Sequence, residues 1–207
     1  MFRDTKFKNF KKLIRQSGEK QNSLRLAPIS SEDLSTALSG ITLNADQNAL
    51  VELVVNTINS EGTYMVEYMR TGQDLSELSI KYLSQNLSKG GLTPETADKI
   101  EGGYTTLVQL LCGEGATMQI ENGSLSLIAI SPQAHHTNRS ATLGHEVFGH
   151  GVTLYKGLID ATSQHVIPIQ VENLILRNMG KKFYRDGSDH APLNIKIPNF
   201  LERPKIY

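Results

Sequence analysis

The chain contains no tryptophan and a single cysteine, Cys112. One thiol excludes an internal disulfide and a cysteine-built zinc site. Cys112 ends an apolar run from Leu107 and reads as a core residue; a lone Cys also suits a reducing compartment. Charge of one sign is lacking too. Lys and Arg number 21, as do Asp and Glu, so the formal net charge is zero and there is no global pull towards nucleic acid or anionic lipid. No apolar run approaches transmembrane length. The N-terminus, Met1-Phe-Arg-Asp-Thr-Lys-Phe-Lys, has no apolar signal core, which predicts a cytoplasmic protein or a delivered effector. Internal repeats and low-complexity linkers are absent. The 207 residues therefore predict one domain, 1–207, with residues 1–28 as a peripheral arm bearing a short amphipathic, locally basic helix.

What is present is concentrated in Gly144-His145-Glu146-Val147-Phe148-Gly149-His150-Gly151. Neutral imidazole is a common zinc ligand, and a carboxylate beside such a site can take a proton from metal-bound water. The familiar spacing is H-E-x-x-H, which puts both histidines on one helix face. Here the spacing is H-E-x-x-x-H. In a regular α-helix five residues rotate the second histidine by roughly 140° from the first, against roughly 40° for four. A π-bulge would restore a shared face, and such bulges concentrate at functional sites. Gly149 lies inside the widened turn, where a missing Cβ helps the backbone deform. Two other readings stay open: ordinary polar histidines on a surface helix, or a regular helix in which Glu146 and His150 share a metal without His145.

Pro168 suits the first turn of a helix and Gly180 its stop, so residues 168–179 read as helical. On a helical wheel Gln170, Asn173 and Arg177 form the polar face, and Ile169, Ile175, Leu176 and Met179 the apolar one. Glu172 falls among the apolar group. A core-facing carboxylate must be paired, neutralised or metal-bound. Metal from His145 and His150 would satisfy it; a buried ion pair with an arginine is the other reading. His165, Asp160 and Asp189 are further choices of third ligand, and His165 or His190 of a fourth. His135 and His136 read as loop residues. Asn173 and Arg177 are candidates to support the ligands, and Tyr155, Tyr184 and His190 to stabilise an oxyanion.

The His145–Gly151 run resembles the zinc helix of the dipeptidyl-peptidase III family, whose motif is also H-E-x-x-x-H. More broadly it is similar to gluzincin-type metallopeptidases, including short bacterial effector and toxin domains, which pair an H-E helix with a later Glu-Asn-x-x-x-Arg helix; here Glu172, Asn173 and Arg177 match. The resemblance implies an α+β, zincin-like fold: a small mixed sheet, an active-site helix and a following Glu-bearing helix. It implies one zinc ion on His145, His150 and Glu172, Glu146 as catalytic base, and a peptide or protein substrate; the balanced charge predicts no nucleic-acid or membrane partner. A strand beside the active helix often binds extended substrate in these enzymes, which makes Ser124–Ile130 a candidate edge. The alternatives are a non-catalytic domain with a structural metal or His/Glu cluster, and a protease specific for one protein.

For the scaffold, Ser30 and Asn44 read as helix caps, the latter before a helix over about 45–59. Thr63–Met69 is rich in strand formers. Helices are expected over about 75–88 and from Thr93-Pro94. Ala116–Ile130 reads as a hairpin whose Asn122-Gly123 pair suits a type I′ turn. Leu125 and Leu127 alternate with Ser124 and Ser126, which predicts one buried face. The stretch 192–207, with Pro192, Pro198 and Pro204, is expected to run extended over the surface.

Overall fold

The computed structural model describes residues 1–19, 26–70, 115–120, 122–130, 139–158, 165–188 and 196–206. Within them lie five helices and a three-stranded mixed sheet, an α+β arrangement. The helices expected over 75–88 and from Thr93, and the apolar run ending at Cys112, fall outside the described residues, as do His135, His136, Asp160, Asp189 and His190. No helix among the described residues is long and apolar enough to cross a membrane.

Helix α1 (Lys8–Glu19) follows a short 3-10 turn, Thr5–Phe7. Helix α2 (Ser31–Ala37) starts where the Ser30 side chain accepts the Asp33 N–H. Helix α3 (Ala45–Asn59) has a full capping box: the Asn44 side chain takes the Gln47 N–H, and Gln47 reaches back to the Asn44 N–H. Its buried residues divide between two partners. Val51, Val54 and Val55 pack with Phe7, Phe10 and Leu13, so the N-terminal segment contributes to the core. Leu50 and Leu53 pack instead with Val171, Leu174, Ile175 and Leu176.

Strand β1 (Thr63–Arg70) pairs in parallel with β3 (Gly123–Ile130), and β2 (Gly115–Ile120) pairs antiparallel on its other side. The order β1-β3-β2 makes β3 the central strand, and both its backbone ladders are taken over Gly123–Ile128, so Ser124–Ile130 is not the peptide-binding edge expected of it. The turn also sits one residue earlier than the Asn122-Gly123 pair predicts, because Gly123 is already paired with Ile120. Asn122 has φ 57°, but Gly123 is not in that region and already belongs to the ladder. Gly123 is needed for space, because a Cβ there would run into the Thr63 carbonyl of β1. The alternation Ser-Leu-Ser-Leu predicts one buried face, yet Ser124, Leu125, Ser126 and Leu127 are all fully buried. The small hydroxyl residues admit the helix that carries Gly151; Ser124 lies where a Cβ on Gly151 would have to go.

Helix α4 runs through three segments: α-helical Arg139–Leu143, π-helical Gly144–Gly151 and α-helical Val152–Tyr155. Helix α5 (Val166–Asn178) packs along it. A Cβ on Gly149 would lie 2.5 Å from Pro168 Cα, so the absent side chain lets the π turn touch the first turn of α5.

Candidate active site

The widened turn is where the five-residue histidine spacing places it. The Val152 N–H donates to the Val147 carbonyl, the i→i+5 bond of a π-helix. Thr153, buried, directs its hydroxyl at the Gly149 and His150 carbonyls, 2.7 and 3.0 Å away, and so serves carbonyls that the π pattern displaces. The His145 and His150 ring centres lie 5.0 Å apart with an interplanar angle of 66°. The regular-helix reading, which would turn them to different sides, is thereby set aside, as is the reading of both as surface residues, since His145 is 4% exposed.

Helix α5 brings Glu172 to the same place. Glu172 is 1% exposed, and its Oε2 accepts from His145 Nδ1 at 3.0 Å and from Arg185 Nη1 at 3.3 Å. The apolar-stripe argument for Glu172 thus meets both of its outcomes, an imidazole from α4 and an ion pair with an arginine. Arg185 escaped the sequence reading. The signal for it was Glu172 itself, which called for an arginine without saying which, and Asn173 fixes the one that answers: Asn173 Nδ2 donates to the Arg185 carbonyl at 2.6 Å, and the Arg185 N–H donates to Asn173 Oδ1 at 2.9 Å. Asn173 therefore supports the site through Arg185, while its Nδ2 also reaches the Phe200 carbonyl at 2.9 Å.

Glu146 is buried against β2. The Thr117 hydroxyl lies 2.7 Å from Glu146 Oε2 and 3.1 Å from the Glu146 carbonyl, and 2.9 Å from Ser126 Oγ. Burial pushes the Glu146 carboxyl up to about 7, against the lowering effect of the Thr117 hydrogen bond; the Glu172 charge adds to the rise and Arg185 opposes it. A carboxyl titrating there is suited to exchanging a proton near neutral pH. Thr117 was also missed: a strand threonine carries no mark of the helix that will face it.

Other expected participants are engaged elsewhere. Arg177 Nε donates to Asp46 Oδ2 at 2.7 Å, joining α5 to the first turn of α3 rather than supporting the ligands. The Tyr184 hydroxyl donates to the Lys181 carbonyl at 2.8 Å. Tyr155 packs edge-on against Tyr64, ring centres 5.9 Å apart. His165, the N-cap residue of α5, does belong to the cluster: its ring lies 5.3 Å from that of His150, with an interplanar angle of 83°. Burial lowers the pKa of His165.

As the side chains stand, no group of three or more His, Cys, Asp or Glu among the described residues is set to hold a metal, and His145 Nδ1 is turned onto Glu172. The donor set nevertheless fits zinc chemically, with imidazoles and a carboxylate on rigid helices. The ring spacing fits as well. With Zn–N of about 2.0–2.1 Å and tetrahedral angles, two imidazole ring centres lie about 5.2 Å apart.

No family model matches this chain, and neither a curated protein nor a solved structure matches it.

Proposed function

We propose that the chain is a zinc-dependent hydrolase, a metallopeptidase of zincin-like fold that cleaves peptide bonds with an activated water. The observation that carries this reading is the π-helical turn Gly144–Gly151, which sets the two imidazoles of the H-E-x-x-x-H run 5.0 Å apart, with the intervening Glu146 buried beside them. His145 and His150 would hold the ion, and α5 supplies the third donor, Glu172 in the reading the motif favours. Bound zinc supplies a Lewis acid that acidifies a water and polarises a substrate carbonyl. The remaining work falls to the chain. Glu146, desolvated and steadied by Thr117, takes the proton of the attacking water and hands it to the leaving amine. Arg185 balances the Glu172 charge, and Asn173 fixes Arg185 by both its backbone groups.

The test is Glu146→Gln, with peptide hydrolysis and zinc content measured together. Turnover should fall by at least about 100- to 10,000-fold, the usual contribution of a general base, while zinc stays bound. Activity that survives the change removes Glu146 from the mechanism. A second reading, a non-catalytic domain with a structural cluster, draws on Glu172 being already held by both His145 and Arg185. Zinc-loaded wild-type protein that cleaves neither peptides nor whole-protein substrates would favour it. A protease specific for one protein shares the proposed chemistry and would reveal itself by cutting a single species in a complex protein mixture.

A further inference from the structure

We infer that the third zinc ligand is His165, and that Glu172 is the carboxylate that orients His145 rather than a ligand itself. This rests on the metal reading above and changes its ligand set. The first support is spacing. His150 stands between the other two, its ring centre 5.0 Å from that of His145 and 5.3 Å from that of His165, close to the roughly 5.2 Å of two imidazoles on one tetrahedral zinc, so binding requires the His145 and His165 rings to turn towards one point beside His150. The rings meet edge-on at 66° and 83° rather than stacking.

The second support is what Glu172 does. A metal-binding histidine nearly always gives its other ring N–H to a carboxylate, carbonyl or water. His145 Nδ1 makes that contact with Glu172 Oε2 at 3.0 Å. With Nδ1 as the donor, Nε2 is the nitrogen that His145 presents to the ion. Arg185 binds the same oxygen at 3.3 Å, so the carboxylate is anchored and its charge balanced from the protein side.

The third support is rigidity. The His165 carbonyl accepts the Ile169 N–H at 3.1 Å, and Pro168 seats α5 on Gly149 of the π turn. The backbone separation of His150 and His165 is thereby set by helix packing. Three imidazoles leave the fourth position for water, as a catalytic zinc requires.

X-ray absorption at the zinc edge tests this on zinc-loaded full chain, with zinc affinity measured by chelator competition. Three imidazoles are expected in the wild type and two in His165→Ala. The affinity of His165→Ala should fall by more than the roughly 10- to 100-fold that losing a supporting partner costs. Glu172→Gln should stay within that range and keep three imidazoles. Two imidazoles in the wild type, or a Glu172→Gln that loses zinc as completely as His145→Ala, overturns the assignment and leaves the hydrolase reading standing. Wild-type protein that binds no zinc overturns both. The wild-type spectrum decides the ligand count even if a variant fails to fold.

Discussion

Substituting Gly149 by alanine tests how tightly the π turn is seated on α5. The added Cβ would lie 2.5 Å from Pro168 Cα, 2.9 Å from its Cβ and 3.2 Å from its Cγ. Carbon atoms rest at about 3.5–4.0 Å, so the elements must part by about 1 Å. The obstacle is backbone and a closed ring, which cannot rotate away. Overpacking of this kind costs about 1–3 kcal/mol. Alanine also returns about 1 kcal/mol of helix propensity relative to glycine. Taking the upper part of the overpacking range leaves a net loss of about 1–2 kcal/mol. For a chain of this size that lowers Tm by about 2–8 °C, readable by circular dichroism or differential scanning fluorimetry. The sign is decisive. A variant that melts at or above the wild-type temperature would show that propensity wins and that the close approach of Gly149 to Pro168 does not constrain the site.

Gly115→Ala puts a Cβ 2.7 Å from Glu146 Cγ and Oε1, so the carboxylate must move while the fold, meeting only a side-chain end, stays intact. If the chain is the zinc hydrolase proposed above, hydrolysis should fall by about 100-fold with zinc content unchanged, and undiminished kcat would refute the placement of Glu146. Asn173→Ala strips partners from the Arg185 N–H and from the Arg185 and Phe200 carbonyls, costing about 2–3 kcal/mol in denaturant unfolding; a loss below about 0.5 kcal/mol would refute the bracketing role. In Asp46, burial pushes the carboxyl up, but the hydrogen bonds and charges of Arg177 and Arg203 outweigh it and hold it below 3.8. Its contribution is therefore complete above about pH 4 and lost as pH falls through the folded value. Asp46→Asn should cost about 1–2 kcal/mol at neutral pH and flatten the acid limb of stability against pH, and an unaltered acid limb would count against the pairing.

The parts of this fold that were legible are those written in local chemistry. The Asn44 cap marks the start of α3 within a residue. The five-residue gap between His145 and His150, with Gly149 inside it, specifies the π turn once a shared face is required. Glu172 on an apolar stripe signals a buried anion with partners. What stayed hidden depends on contacts across the chain. Gln170 and Asn173 lie on the polar side of the wheel yet are 4% and 0% exposed. Carbonyls of Arg185, Asn199 and Phe200 cover them, and a backbone partner leaves no trace in side-chain periodicity. The centrality of β3 was hidden likewise, because its parallel partner β1 lies more than fifty residues earlier in the chain.

The π turn also bears on how this motif can evolve. It carries surplus backbone, so the residues after it are turned as though one residue were missing from a regular helix, and Val152 in that orientation packs in the same apolar cluster as Ala141. Excising one residue between Glu146 and His150 would convert the run to the commoner H-E-x-x-H in a plain α-helix and still leave Val152 on the core. Excising two would swing everything downstream by roughly 100° and expose it. A single-codon loss is thus a passable bridge between the two histidine spacings, and a double loss is not.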